Sequence, residues 1–326
     1  MTEDALIAQL RVRLNGVPDA RLLVGIGDDA AAWQPSRNNR SVITTDALVE
    51  GVHFRRGAMD APSIGHRALA ANLSDLAAMG ARPVLATIVL GLPPDLEPGW
   101  PADCYDGIAA LATRTRCAIA GGDITSAPAV LLSITAVGEV RASNLKTRAG
   151  ARPGDVLAVT GALGASRAGR QLVLERPDSG GTEPVFEAAR SAFLRPEPRL
   201  REGKWLAGSG HVRAMIDTSD GLSTDLGRLC AASGAGAILE AIPVHPAATA
   251  VAALTGDDPE GWALNGGEDF ELLAAIDRHA FAHLADRFLK HTGRPLLRVG
   301  RVVAEAGIRR LDGTPVEPAG WDHVRG

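Results

Sequence analysis

Seven aspartates, Asp28, Asp29, Asp46, Asp75, Asp123, Asp217 and Asp220, fall at or beside the ends of apolar segments. If their side chains converged unaided, like-charge repulsion would force protonation or oppose folding. Divalent cations relieve that conflict. Oxygen donors of this kind suit Mg²⁺, which is shared between carboxylates and substrate phosphates. The stretch Val42 to Phe54 organises this reading. A hydrophobic run, Val42-Ile43, leads to Thr44-Thr45-Asp46, and Val52-His53-Phe54 follows on a connecting loop. A buried strand is expected to deliver the two hydroxyls and the carboxylate to one edge of a sheet. Asp28-Asp29, Asp75 and Asp123 are expected to aim at the same place.

At 326 residues the chain is longer than one core usually holds, so two domains are expected. A net charge of −4 argues against a nucleic-acid or anionic-membrane partner. Lysine stands only at Lys146, Lys204 and Lys290, so a site handling phosphates must lean on metals and arginine. Cys104, Cys117 and Cys230 lack C-x-x-C spacing, which fits a reducing cytosol and neither a disulfide framework nor a thiolate zinc site. No signal-peptide pattern opens the chain, and no apolar run approaches the ~20 residues of a membrane span. A cytoplasmic location is the expectation.

Taken in order, Leu6, Leu10 and Leu14 recur at i+4 and predict a helix over 3–14. Gly25-Ile26-Gly27-Asp28-Asp29-Ala30 has the letters of a dinucleotide fingerprint. Two carboxylates there would repel a pyrophosphate, and Pro35 leaves no room for the helix that should cradle it. The pair reads as metal ligands, with a solvated Asp turn as the plain alternative. A strand over 40–45 precedes a helix over 63–79 whose small face (Ala68, Ala71, Asn72, Met79) carries Asp75 inward or leaves it on the surface. A strand over 83–92, a helix over 103–113 and a short strand over 118–120 lead to Gly121-Gly122-Asp123, where paired glycines let backbone approach a ligand. A strand over 130–137 closes the first half. The polar, Gly/Pro-bearing segment after it sets the boundary, giving domains 1–148 and 149–326.

The second half restarts with a strand over 156–160. A G-x-x-G turn with a packing role then opens a helix to about 174, followed by a mobile surface loop over 175–184. A strand over 214–216 ends at Asp217-Thr218-Ser219-Asp220-Gly221, ahead of a helix carrying Leu222, Leu226 and Leu229. Ser219 or Asp220 could be a plain N-cap. Asn265-Gly266-Gly267-Glu268-Asp269 repeats the glycine-pair-then-acid device before a strand over 272–276. A helix over 278–291 and strands over 296–303 and 308–311 complete an α+β, or mixed α/β, chain in two domains.

Together these features point to metal-assisted phosphoryl transfer, in which positioning and charge neutralisation supply most of the rate. The usual phosphate loop is missing: Gly203-Lys204 is followed by Trp205. His279 and His283 stand at i, i+4 without the H-E-x-x-H pattern of a zinc site, and no G-x-S-x-G elbow occurs.

The ordered set GIGDDA, ITTDALVEGVHF, NLSDLAAMGARP, AGGDIT, TRAGARPGD, IDTSDGL, NGGEDFEL and GWDHV resembles the thiamine-monophosphate kinase family, over nearly the whole chain. That family belongs to the superfamily of aminoimidazole ribonucleotide synthetase and selenophosphate synthetase. The resemblance implies transfer of the γ-phosphoryl group of ATP to thiamine monophosphate, giving thiamine diphosphate. It implies an N-terminal α/β domain that pairs sheets across a homodimer, a C-terminal α+β domain, and an ATP site between domains near the dimer interface. It also implies that Asp29, Thr44, Thr45, Asp46, Asp75, Asp123, Asp217 and Asp220 bind several Mg²⁺ ions, with Asp28 behind them. Asp46, Asp123 and Asp217 would assist transfer through metal, with no covalent nucleophile. Tyr105, Gly122, Arg148 and Ser219 would contact ATP; His53, Glu268 and Trp321 would contact thiamine monophosphate. A flat aromatic and an added negative charge suit a cationic thiazolium ring. The rivals are a synthetase of the same superfamily acting on another acceptor, and a nucleotide- or metal-binding module without turnover.

Overall fold

The computed structural model describes residues 3–14, 21–26 and 30–320. They form two compact units: 1–76 with 82–142, and 77–81 with 143–326. The first unit contains α1 (Glu3–Leu14), β1 (Leu22–Val24), β2 (Ala32–Trp33), β3 (Asn39–Val49), α2 (Ala61–Ala78), β4 (Arg82–Leu92), α3 (Trp100–Thr115), β5 (Ala118–Ser126) and β6 (Leu131–Arg141). The last turn of α2 groups with the second unit. The main sheet of the first unit runs β3-β6-β4-β5. Strands β3 and β4 are antiparallel to β6, while β5 is parallel to β4.

The sheet order changes the reading of the organising stretch. Strand β3 does not end at Thr45; it pairs with β6 residue by residue from Asn39↔Arg141 to Val49↔Leu131. Nor is it buried. It is an edge strand whose residues, Leu48 apart, are half-buried or exposed, and Ile43 is 67% exposed. The polar run Thr44-Thr45-Asp46 continues the strand because an edge strand satisfies half its backbone in one ladder and leaves the rest to water. Likewise β5 does not stop at Ala120: it runs through Gly121-Gly122-Asp123 to Ser126. Its register with β4 slips between Ala86↔Ile119 and Thr87↔Gly121, leaving Ala120 as an extra residue. Such a bulge re-aims the residues beyond it.

The acid Glu139 of β6 is the buried anchor of this unit, 2% exposed. Its carboxylate accepts hydrogen bonds from Arg21 (2.9 Å), Arg82 (2.7 Å) and the Ser36 amide (2.9 Å), so it ties the β1–β3 region to the sheet.

The second unit contains β7 (Val156–Val159), α4 (Ala165–Arg170), α5 (Pro184–Leu194), α6 (Leu200–Gly208), β8 (Val212–Asp217), α7 (Leu222–Ser233), β9 (Gly236–Leu239), α8 (Pro246–Thr255), α9 (Pro259–Asn265), β10 (Leu272–Ile276), α10 (Phe281–Thr292), β11 (Leu297–Val303) and β12 (Gly307–Arg310). Its sheet runs β12-β9-β11-β7-β10-β8. The unbroken apolar run of β10 follows from cover on both faces. Leu273 and Ala275 join the core of α7 and α9, while Leu272, Ala274 and Ile276 join that of α6 and α10. The segment expected as a helix to about 174 is α4 followed by one wide π turn, Gln171–Glu175. The three cysteines are buried and unpaired, and among the described residues no helix is long and apolar enough to cross a membrane.

Burial alone would raise the Glu139 carboxyl, but hydrogen bonds from Ser36, Arg21 and Asn39 bring it down to about 2 from a usual 4.5. A depressed carboxylate contributes stability above its unfolded pKa and loses it as pH falls through the folded value. Glu139→Gln is therefore expected to cost about 3 kcal/mol near neutral pH. In urea melts the gap to the parent should narrow as pH falls from 4.5 towards 2.

Candidate active site

In the first unit the sheet meets α2 at the organising stretch. The Thr44 hydroxyl donates to Asp75 at 2.5 Å, and the Asp46 amide donates to Asn72 Oδ1 at 3.1 Å. Asn72 is fully buried, and its Nδ2 donates to the Ala68 carbonyl one turn back, so its amide cannot rotate without loss. The helix thus carries Asp75 inward and fixes Asp46 through the backbone. Strand alternation turns Thr45 to the other face. There its hydroxyl donates to the Ile134 carbonyl and accepts from Thr135. His53 folds back onto the end of β3: its Nδ1 accepts from the Val49 amide at 3.0 Å, which leaves the proton on Nε2.

A cavity of 530 Å³ opens at the β5 edge, lined by Tyr105, Gly121, Gly122, Asp123, Thr87 and Ile88 among others, with Ile7 and Leu10 of α1 forming part of its wall. Its size is that of a small-molecule site. Tyr105 is 5% exposed, and burial pushes its hydroxyl pKa upward. Gly122 is required by close approach: a Cβ there would lie 1.9 Å from the Ile88 carbonyl oxygen.

The sheet does not bring all the candidate carboxylates together. Asp46 lies opposite Ile134, Ile134 opposite Ile88, and Ile88 opposite Gly122, so Asp46 and Asp123 occupy opposite edge strands. Three inter-strand spacings separate them, about 14 Å, too far for one ion to be shared. Among the described residues no group of three His, Cys, Asp or Glu side chains is placed to hold a metal. The sheet thus places Asp46 and Asp123 on separate edge strands. The donor chemistry does fit a hard cation: each candidate offers oxygen and none offers sulfur. Asp28, Asp29 and Trp321 lie outside the described residues.

In the second unit β8 delivers Asp217, 2% exposed, at its end. The following loop is zipped to the segment before β10. The Glu268 amide donates to the Ser219 carbonyl at 2.7 Å and the Phe270 amide to the Thr218 carbonyl at 3.1 Å. Gly221 (φ +108°) and Gly267 (φ +67°) make this fit possible: a Cβ would stand 2.9 Å from the Asn265 backbone at Gly221 and 2.7 Å from the Ser219 carbonyl oxygen at Gly267. Asp220 is ion-paired with Arg228, which also bonds Asp225 at 2.8 Å. Burial raises the Asp225 carboxyl to about 6 against the pull of Asp220's amide and Arg228. Asp269 accepts from the Gly164 and Ser166 amides at 2.7 and 3.1 Å. Burial raises this carboxyl to about 7, although those two amides pull the other way. A carboxylate thus fills the G-x-x-G turn at α4, consistent with a packing role. Arg148 is exposed, and its carbonyl accepts from Ser233.

Sequence reasoning passed over Asn72 as a brace, Asp225, the Asp269 clamp, and Ile7 and Leu10 as cavity wall. The i+4 leucines disclosed a helix but not what it covers. The Asn72 and Asp269 contacts join positions far apart in the chain, and no local pattern carries them.

Residues 27–140 match the AIR synthase related protein, N-terminal domain, and residues 152–311 the AIR synthase related protein, C-terminal domain. Both halves therefore define an AIR synthase related protein with two domains of mixed helix and sheet. The thiamine-monophosphate kinase of Rhodopirellula baltica is 37% identical over 98% of this chain and 97% of its own length. The crystal structure of thiamine-monophosphate kinase from Stenotrophomonas maltophilia K279a superposes with a TM-score of 0.85 at 36% identity, covering 97% of this chain and 98% of that one. AaThiL complexed with AMPPCP and TMP superposes with a TM-score of 0.79 at 32% identity, covering 98% and 96%. The chain belongs to the thiamine-monophosphate kinase family.

The Gly122 contact gives a sharp comparison. Gly122→Ala must displace the β4 or β5 backbone and is expected to cost about 1–3 kcal/mol and to weaken binding of an ATP analogue. A Cβ on Gly121 meets nothing within 4 Å, so Gly121→Ala should melt close to the parent. Equal melting temperatures for the two variants would contradict the packing described for β5.

Proposed function

We propose that the chain transfers the γ-phosphoryl group of ATP to the phosphate of thiamine monophosphate, giving thiamine diphosphate and ADP. Full-length similarity to thiamine-monophosphate kinases carries this reading, and a structural neighbour binds both AMPPCP and TMP. The cavity lined by Tyr105, Gly122 and Asp123 supports an adenine site in the first unit. Arg148 and Ser219 contribute to ATP binding; His53, Glu268 and Trp321 contact thiamine monophosphate. The His53 tautomer supports its role, because a proton on Nε2 makes that nitrogen a donor of the kind an anionic phosphate accepts. Glu268 and Trp321 suit the cationic ring.

Asp29, Thr44, Thr45, Asp46, Asp75, Asp123, Asp217 and Asp220 are the residues that would hold Mg²⁺. Bound Mg²⁺ would neutralise phosphate charge during transfer. An oxygen of the acceptor phosphate attacks the γ-phosphorus in line as the bond to the β–γ bridging oxygen breaks, and ADP leaves with that electron pair. The acceptor oxygen is already ionised near neutral pH, so no strong general base is needed.

The separation of Asp46 from Asp123 gives the homodimer a function. Strand β3 is a long exposed edge with Ile43 on it, a surface that proteins normally cover or pair. Pairing of the β3 edge of one protomer with the β5 edge of its partner would bring the β3 acids of the one towards the β5 acids of the other.

Release of ADP should require thiamine monophosphate and Mg²⁺ and should not occur with free thiamine. Asp46→Asn and Asp123→Asn should each lower turnover at least about 100-fold while circular dichroism stays unchanged. Wild-type rates in both would refute the metal assignment, and a ³²P-labelled protein trapped in turnover would refute direct transfer. Ile43→Lys should shift the protein towards monomer in sedimentation and lose activity in parallel; an active monomer would refute the paired site.

A further inference from the structure

We propose that Asp269 is a positioning residue: its carboxylate, bonded to two backbone amides, fixes the turn that presents Glu268 to the acceptor substrate. This rests on the reading of Glu268 as a thiamine-monophosphate contact.

The segment between α9 and β10 is held in an unfavourable backbone conformation. Gly267, Glu268 and Phe270 have φ of +67°, +57° and +49°. The last two carry a Cβ, and such residues stay in the left-handed region only when their surroundings hold them there. Two holds are backbone contacts on one side, from the Glu268 and Phe270 amides to the Ser219 and Thr218 carbonyls. Both lead to the loop after β8. The third comes from the other direction. Asp269, between the two strained residues, sends its side chain to the start of α4, where Oδ2 accepts from the Gly164 amide and Oδ1 from the Ser166 amide. Each oxygen takes one of the amides that a helix start leaves without an internal partner. The loop is thereby gripped between α4 and the β8–α7 turn, and the Glu268 side chain leaves the chain at the middle of that grip.

The two-oxygen requirement makes the role specific. An asparagine of the same volume offers one acceptor; its amide nitrogen would face the second backbone N–H, donor against donor. The Ser166 hydroxyl, buried and without a hydrogen-bond partner, cannot replace the lost acceptor for its own amide.

The test uses the full chain, with steady-state kinetics in both substrates. Asp269→Asn should raise KM for thiamine monophosphate about tenfold, leave KM for ATP within about twofold and change kcat little. Asp269→Ala should go further in the same direction. An unchanged KM for thiamine monophosphate would overturn the proposal. So would a parallel loss in both KM values and kcat that tracks a fall in melting temperature, because that is a purely structural role. Hydrogen–deuterium exchange on the parent protein serves if the variants do not fold. Thiamine monophosphate should slow exchange at the Gly164, Ser166 and Glu268 amides together, and AMPPCP alone should not. Protection at none of them would overturn the proposal. A parent protein that never turns over thiamine monophosphate overturns the underlying assignment as well; a parent that does, with an indifferent Asp269→Asn, overturns this inference alone.

Discussion

A carboxylate removed from water persists only where donors or cations meet it, and the buried acids of this chain are met in two ways. Arginines meet the structural ones. Glu139 takes Arg21 and Arg82, and Glu271 takes Arg199 and Arg294 along with the Thr160 hydroxyl. These pairs pin strands to the segments beside them. Near the candidate site the donors are mixed: the Thr44 hydroxyl at Asp75, backbone amides at Asp269, and Arg228 at Asp220. At Asp75 the neutral Thr44 donor orients the carboxylate without cancelling its charge, a condition that a hard cation needs.

Local pattern was enough where one period dominated. The i+4 leucines of α1, the apolar runs of β4 and β10, and the strand-to-acid step at Asp217 all read directly from the sequence. The eight ordered motifs reached the family as well. Helices α5, α6, α8 and α9 and strand β9 escaped; each is a short element of 4 to 11 residues. Strand β3 was cut short for a different reason. Thr44-Thr45-Asp46 looks like a turn when a strand is assumed to be buried, yet it is ordinary on an edge whose outer half meets water.

The two glycine pairs show how one motif hides two physical causes. At Gly122 the need is space, because the neighbouring strand's carbonyl stands where a side chain would begin. At Gly267 the need includes a left-handed backbone, which then propagates to Glu268 and Phe270. The acid after each pair is therefore aimed by different means: along a bulged strand for Asp123, and by a turn gripped from both sides for Glu268.

Sheet order is the level at which single-sequence reasoning about the acids runs out. Apolar segments reveal that Asp46 and Asp123 belong to strands; they do not reveal that β6 and β4 intervene. With those two strands between them, the two carboxylates stand on opposite edge strands of one sheet, about 14 Å apart along the ladder. The exposed edge of β3, with Ile43 outward, is a surface that proteins normally cover or pair. Under the proposed metal assignment, self-association would complete the set of oxygen donors, and a variant that separates the copies would break that set with every aspartate in place.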